Sequence, residues 1–353
     1  MSVGILLGLA KDPALELPLE WDSAGNQVRD NLIAIDPLHS ATCMCGLVKL
    51  GDAYGPILDH LEKTRDLHVF AYDWRLCLDE SAAAFEQFVS KVREDTGRDP
   101  QVVGHSMGCL IALSVLNRNP KIFHSILFGA GALSPNASLI KDLSLTGEKN
   151  TFVKNTTMFS PRINLSNPAG LHFIHYPGER ALYGKPNCDL FRDEETNEIV
   201  ELDLHDVQTW KDHKIGLYHP DSGVDVVTDD MEIFFQKALL KARDFRRGLL
   251  PQNSGLKASE CPPITVLRGD HDATEFGYTV RSNGSGKEMD LKTGVMYKRG
   301  DGRVTLEDAI PPNDIPVCKI VTNNIEHTHV LNDLDNVDML LELMISEKMK
   351  HDE

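Results

Sequence analysis

The residues most able to do chemistry form the run G-H-S-M-G at positions 104–108. Ser106, at its centre, follows the apolar pair Val102 and Val103 and precedes an apolar segment, which predicts a strand, a sharp turn and a helix. Glycines at 104 and 108 lack Cβ atoms, so the strand and the helix can cross closely beneath an exposed serine. A serine hydroxyl attacks a carbonyl carbon only when it is exposed and hydrogen-bonded to a base. The pentapeptide alone fits an ordinary strand–helix turn, but its flanks favour a nucleophile at Ser106.

A serine nucleophile needs a histidine base, and the histidine needs an acid that orients it. Two histidines, His327 and His329, follow a predicted strand and precede the last predicted helix. Two positions compete for the acid. Asp270 or Asp272 follows a core strand directly, whereas Asp301 lies in the run R-G-D-G-R-V at 299–304. The residues alone leave both choices open.

The same histidines and the run D-H-D at 270–272 contain metal-ligand side chains. We do not predict a metal site there, because no ligand framework with zinc-type spacing accompanies them. Acyl transfer by a serine requires neither a metal nor an organic cofactor, so we predict none.

Helices and strands alternate around Ser106. Apolar periodicity predicts helices over Tyr54–Arg65 and Ser81–Thr96, and strands over Leu67–Tyr72, Gln101–His105 and Ser125–Ala130. Parallel strands covered on both faces are nearly continuously apolar, as these are. The pattern therefore predicts an α/β fold with a mainly parallel sheet and helices on both faces.

The alternation breaks after residue 133, where the chain becomes polar and only patchily periodic until residue 259. Within this stretch the periodicity predicts a helix over Met231–Phe245. Later segments predict strands at Ile264–Arg268, Glu288–Tyr297 and Pro316–Val321, and a closing helix over Asn332–Met349. We therefore predict a core of residues 1–133 and 260–353, with residues 134–259 inserted above the sheet as a cap.

The charge and the hydropathy of the sequence disfavour several classes of partner. The 353 residues carry a net charge of −17, which disfavours nucleic acids and strongly anionic membranes. No apolar run is long enough to span a membrane. The first ten residues are apolar but lack a basic region, and the seven cysteines are scattered as reduced thiols usually are. By default we expect a cytoplasmic protein without a signal peptide.

Several ordered motifs resemble the lecithin:cholesterol acyltransferase-like family, which includes lysosomal phospholipase A2 and phospholipid:diacylglycerol acyltransferase and has the α/β-hydrolase fold. The run Y-D-W-R at 72–75 is similar to a characteristic element of that family, and G-H-S-M-G is similar to its nucleophile turn. The run at 299–304 resembles its acid loop, although Arg303 replaces the usual threonine. His327, followed by V-L-N at 330–332, resembles its terminal histidine element.

The resemblance implies that Asp301 is the acid and His327 the base. It implies a lipid or acyl-ester substrate, met at a membrane surface, with residues 134–259 as the lipid-facing cap. Trp74 would line an acyl pocket with Asp73 beside it, and Arg75 would pair with Asp73 or with an acidic neighbour. The implied reaction is lipid-ester acyl transfer through an acyl-enzyme, with water or a lipid hydroxyl as the acceptor.

The oxyanion site departs from the family pattern. Met107 would supply one N–H donor, and the family's first loop, P-G-x-x-G-[SN], supplies another. Here the nearest segment is G-I-L-L-G-L at 4–9, so Leu6 or Leu7 would have to provide the second donor. Either this loop is rebuilt or the amino terminus is shortened. This departure keeps open an impaired pseudohydrolase that acts as a binding scaffold. A carboxylesterase for small soluble esters is a separate alternative, which would need a tight polar pocket.

Overall fold

In the part of the chain that the structure describes, the central sheet has four parallel strands, in the order β3 (Gln101–His105), β4 (Ser125–Gly129), β6 (Ile264–Gly269) and β9 (Lys319–Asn323). The computed structural model describes residues 15–35, 37, 41–43, 48–51, 53–137, 139–145, 161–184, 189–283 and 286–352. The strands are β1 Ala41–Cys43, β2 Val48–Gly51, β3 Gln101–His105, β4 Ser125–Gly129, β5 Phe191–Asp193, β6 Ile264–Gly269, β7 Asp272–Asn283, β8 Gly286–Gly300 and β9 Lys319–Asn323. The α-helices are α1 Gly55–Thr64, α2 Leu78–Thr96, α3 Met107–Arg118, α4 Leu139–Ser144, α5 Pro161–Ser166, α6 Glu179–Leu182, α7 Val207–Asp212, α8 Asp229–Gly248, α9 Pro251–Ser254 and α10 Leu334–Asp352.

Helices cover both faces of the sheet. Successive side chains of a strand point to opposite faces, so each face presents side chains that the helices cover. In β4, Ile126 and Phe128 point into a core with α2 and α3, whereas Leu127 points into a core with α1 and α10. The two inner strands, β4 and β6, are buried on both faces, which explains their nearly continuous apolar sequence. The predicted fold, a mainly parallel sheet between two helical layers, is confirmed.

The strand predicted at Leu67–Tyr72 is wrong. The segment has no strand structure, although Phe70 and Tyr72 pack against the core beside α2 and α3. The ring centroids of Phe70 and Phe85 are 5.2 Å apart. Its apolar pattern reflects burial of side chains rather than backbone pairing with β3.

A second sheet consists of β5, β7 and β8, with β7 and β8 forming a long antiparallel hairpin. The strand predicted at Glu288–Tyr297 lies within β8, and therefore pairs in this second sheet rather than in the central one. Phe276 and Leu291 of the hairpin share an apolar core with Trp210 and Phe234, which precede residue 260. The hairpin therefore packs with the stretch that was predicted to be inserted. The division of the chain at residues 134 and 259 stays a prediction.

Helix α8 connects the two regions. Thr228 caps its start by accepting a hydrogen bond from the Met231 N–H at 3.3 Å. Phe234 packs in the core beside the second sheet, whereas Phe245 packs in the core beside α3. In the described part of the chain, no helix combines the length and apolarity needed to cross a membrane.

Candidate active site

Ser106 lies on a strained turn between β3 and α3. Its φ of 51° and ψ of −118° are unusual for a residue other than glycine, and such strain marks nucleophile turns. The Ser106 N–H donates to the Gly129 carbonyl oxygen at 3.0 Å. A Cβ on Gly104 would lie only 3.3 Å from the Cys109 backbone, so the turn leaves little room for a side chain there. The local sequence thus places the half-buried Ser106 side chain at the carboxyl end of β3.

His327 lies on the 3-10 turn His327–Asn332, which follows β9. Its Nε2 is 2.8 Å from the Ser106 Oγ. Its backbone N–H donates to the Asp301 carbonyl oxygen at 3.0 Å. The ring is therefore placed to accept the serine proton.

Asp301 follows β8 and is almost completely buried. Its Oδ2 is 2.9 Å from the His327 Nδ1, while its Oδ1 accepts hydrogen bonds from the Arg303 and Val304 N–H groups at 2.9 and 2.7 Å. A carboxylate only accepts, so the Nδ1 of His327 carries the hydrogen. The neutral ring then has an unprotonated Nε2 facing Ser106.

The competing residues have other partners. Asp270 pairs with the exposed guanidinium of Arg299. The Nδ1 of His329 lies 2.5 Å from the Glu326 carboxylate. Asp272, at the start of β7, accepts a hydrogen bond from the Ala273 N–H. The structure thus brings Ser106, His327 and Asp301 together and pairs Asp270 and His329 elsewhere.

Met107 is the first residue of α3, where backbone N–H groups have no carbonyl partner within the helix. Such a group is suited to hold a developing oxyanion. Leu6 and Leu7 lie outside the described residues. Their role as the second oxyanion donor stays a prediction.

Arg75 anchors the loop that contains Asp73 and Trp74. Its buried guanidinium pairs with both carboxylate oxygens of Asp73 and, at 2.7 and 3.0 Å, with those of Asp30. The ion pair with Asp73 raises the pKa of Arg75, and the pair with Arg75 lowers the pKa of Asp30. Trp74 is about one-third exposed beside this cluster. Sequence reasoning missed Asp30, which carries no local motif.

Gly269, at the end of β6, is a second residue that the sequence did not single out. A Cβ at this position would lie 2.2 Å from the Ile325 carbonyl oxygen and 2.8 Å from the Asp301 Cβ. The glycine therefore lets the loops carrying the acid and the base approach each other. Its one available signal was its place as the last residue of an apolar strand.

Among the described residues, Cys77, Asp79 and His172 form a group whose ligand atoms all lie within 4.8 Å of one another. Asp79 accepts a 2.8 Å hydrogen bond from the Lys241 ammonium, and the Nε2 of His172 accepts one from the Leu78 N–H. A cation would have to displace both donors. These contacts explain the group as part of the packing between α2 and α8.

Residues 44–281 match the alpha/beta hydrolase family. An uncharacterized protein of Saccharomyces cerevisiae is 26% identical over 161 residues, which are 44% of this chain and 22% of that protein. The chain thus spans less than a quarter of that relative's length.

Two solved structures are similar. The Tle4–Tli4 complex contains a chain with a TM-score of 0.52 and 10% identity, over 79% of this chain and 68% of the other. MenH from S. aureus matches at 13% identity over 85% of this chain and 91% of its own, with a TM-score of 0.30, too low to compare the folds. The family match covers more than half of the chain and agrees with the parallel sheet and the strained turn. The chain therefore belongs to the alpha/beta hydrolase family, whose fold supports hydrolytic activity.

Proposed function

We propose that the protein transfers acyl groups from lipid esters through a covalent acyl-enzyme on Ser106, with phospholipase or O-acyltransferase activity. The observation that carries the proposal is the hydrogen-bonded chain from Ser106 Oγ through His327 to Asp301, with links of 2.8 and 2.9 Å. A scaffold that only bound ligands would not need this arrangement. The assembled chain therefore favours an enzyme over a pseudohydrolase.

In the proposed mechanism, Ser106 Oγ attacks the ester carbonyl carbon while His327 Nε2 accepts the hydroxyl proton. Asp301 holds the ring in the required tautomer and stabilises the imidazolium that forms. The tetrahedral oxyanion is held by the Met107 N–H and by a second N–H near Leu6 or Leu7. The C–O bond to the leaving alcohol then breaks, and His327 returns the proton to that alcohol. Water or a lipid hydroxyl next attacks the acyl carbon and gives its proton to His327 Nε2. The bond from the acyl carbon to Ser106 Oγ then breaks, and His327 returns the proton to Ser106.

Two features support a lipid as the substrate. The first is the resemblance of the Y-D-W-R element, the acid loop and the terminal histidine element to the lecithin:cholesterol acyltransferase-like family. The second is a group of exposed apolar side chains on the segment that follows Asp30: Leu32, Ile33 and Ile35 are 52%, 82% and 87% exposed. Such residues are better suited to contact acyl chains or a lipid surface than to bind a small soluble ester.

The segment with the apolar group is linked to the site through Arg75. Asp30, two residues before Leu32, is bound to Arg75, and Arg75 follows Trp74 in the same loop. The hydroxyl oxygen of Tyr72 lies 4.0 Å from where a Cβ on Gly108 would be, so this loop lies beside the serine turn. The net charge of −17 favours uncharged or zwitterionic lipids over anionic ones.

A fluorophosphonate probe tests the nucleophile. The wild-type protein should be labelled covalently, and Ser106→Ala should abolish labelling while circular dichroism and thermal unfolding stay unchanged. Ser346→Ala, on α10, is the matched control and should be labelled like the wild type. An unlabelled wild-type protein would favour the scaffold instead.

Ester chain length and vesicles test the substrate class. Hydrolysis of p-nitrophenyl esters should be faster for long than for short acyl chains, and phosphatidylcholine vesicles should yield free fatty acid. Replacing Leu32, Ile33 and Ile35 together by serine should reduce activity on vesicles while activity on p-nitrophenyl acetate is kept. A preference for acetate with no activity on vesicles would identify a carboxylesterase and contradict the lipid assignment.

A further inference from the structure

His105, the residue before Ser106, connects three separate parts of the chain through its ring. Its Nδ1 is 2.8 Å from the Tyr54 hydroxyl oxygen, and its Nε2 is 2.9 Å from the His327 carbonyl oxygen. The Tyr54 ring packs edge-on against the His105 ring, with centroids 5.4 Å apart. Tyr54 itself lies at the start of α1, so the connection ties that helix to the serine turn and to the histidine turn.

The chemistry of the partners determines where the hydrogens lie. A carbonyl oxygen only accepts, so the Nε2 of His105 carries the hydrogen and donates it to His327. A neutral imidazole then has an unprotonated Nδ1, which accepts the hydrogen of the Tyr54 hydroxyl. Burial lowers the pKa of His105 to about 4, so the ring is neutral near pH 7. The His327 carbonyl oxygen therefore selects the tautomer, and Tyr54 stabilises it by donating to the unprotonated Nδ1.

The backbone of His327 is held on both sides. Its N–H donates to the Asp301 carbonyl oxygen at 3.0 Å, and its carbonyl oxygen accepts from His105 at 2.9 Å. Since His105 is bonded directly to Ser106 in the chain, its ring sets the separation between the nucleophile and the base. The Asp301 contact sets the separation between the base and the acid.

We propose that His105, oriented by the Tyr54 hydroxyl, is a positioning residue that holds the His327 backbone at reacting distance from Ser106. The inference rests on the proposed function, because it concerns the same acyl transfer. It goes beyond that function by giving a role to the second residue of the G-H-S-M-G run and to a tyrosine far from it in sequence. A displacement of about 1 Å at a reacting group can lower the rate about 100-fold.

The test compares His105→Phe, His105→Gln and Tyr54→Phe on a soluble p-nitrophenyl ester. Phenylalanine fills the space of the ring but cannot donate to His327, so kcat should fall about 10- to 100-fold while KM changes less than about twofold. Glutamine can both donate and accept, so His105→Gln should recover part of the lost kcat. Tyr54→Phe loses the hydrogen bond that orients the His105 ring, and its kcat should fall about fivefold. His68→Phe and Tyr297→Phe, at exposed positions, are the matched controls and should keep the wild-type kcat.

Labelling of the wild type by the fluorophosphonate probe separates the two proposals. If the wild type is not labelled, the proposed function fails. If the wild type is labelled and His105→Phe keeps its kcat, the positioning role is wrong. A loss of kcat that follows a loss of thermal stability, with no recovery in His105→Gln, would show a purely structural role. If His105→Phe does not fold, Tyr54→Phe decides, and an unchanged kcat in that variant overturns the proposal.

Discussion

Gly269 lies directly beneath Asp301, and a Cβ on Gly269 would come within 2.8 Å of the Asp301 Cβ. The same added atom would come within 2.2 Å of the Ile325 carbonyl oxygen, two residues before His327. The obstacle is backbone on one side and a buried side chain on the other, so neither can move cheaply. The distance between the loops that carry Asp301 and His327 therefore depends on the absence of a side chain at position 269.

The first prediction is that Gly269→Ala separates these two loops. We expect a loss of stability of about 1–3 kcal/mol, as in other overpacked sites, and a fall in kcat of about 10-fold or more. Gly248→Ala is the matched control, because a Cβ there would meet nothing within 4 Å. Urea unfolding and ester hydrolysis measure the two effects. A Gly269→Ala protein with wild-type stability and kcat would show that the loops adjust without cost.

The second prediction concerns the acid. Asp301→Asn should lower kcat about 1,000- to 10,000-fold, because an amide side chain can donate to Nδ1 and so favour the wrong tautomer of His327. Asp270→Asn and Asp272→Asn should keep kcat within about threefold of the wild type, since Asp270 pairs with Arg299 instead. Steady-state hydrolysis of a p-nitrophenyl ester compares the three variants. Loss of activity in Asp272→Asn with Asp301→Asn unaffected would move the acid to the earlier position.

The third prediction concerns acid stability. His175 and His205 are fully buried, and neither ring has a hydrogen-bond partner among the described residues. Burial lowers the pKa of His175 to about 3 and that of His205 to about 2, with Arg246 adding to both shifts. The unfolded chain, with histidine pKa values of about 6.5, binds more protons below that pH. The free energy of unfolding that depends on these neutral histidines is fully present above about pH 6.5. As the pH falls toward about 3, the free energy of unfolding decreases by about 1.4 kcal/mol for each pH unit and each histidine.

His175→Phe measures this contribution, because a phenyl ring keeps the shape and loses no hydrogen bond. Urea unfolding at pH 7.5 should give the variant a stability close to that of the wild type. At pH 5.0 the variant should be the more stable of the two. His68→Phe, at an exposed position, should leave the difference between the two pH values unchanged. Parallel pH dependence in wild type and His175→Phe would contradict the prediction.

The sequence was informative where structure is local. The strand, turn and helix around Ser106 are contiguous, and two glycines with apolar flanks were enough to predict them. The helical layers followed from apolar periodicity in the same way. The choice between Asp301 and Asp270 was not local, since both follow a strand. The residues alone left that choice open because Asp270 finds its partner, Arg299, 29 residues later.

The sequence did not reveal which strands pair or which distant residues contact each other. Apolar alternation at Leu67–Tyr72 reported buried side chains but not the missing backbone pairing, so the predicted strand was wrong. The strand predicted at Glu288–Tyr297 carried no sign of its pairing partner, and in the structure it pairs with β7 in the second sheet. Likewise, His105 contacts residues 51 and 222 positions away, and Asp30 meets Arg75 across 45 residues. Such contacts appear only after the chain has folded.

The last prediction concerns the base. His327 faces Ser106, whereas His329, two residues later, faces the Glu326 carboxylate. A neutral imidazole must accept the serine proton, and of the two histidines only His327 is in position to do so. His327→Ala should lower kcat by at least about 1,000-fold, because no group then accepts the proton. His329→Ala should keep the wild-type kcat, since it loses only an exposed ion pair. Steady-state hydrolysis of a soluble ester compares the two variants. If His329→Ala is inactive and His327→Ala has normal activity, His329 is the base. If both variants keep full activity, the serine mechanism itself is refuted.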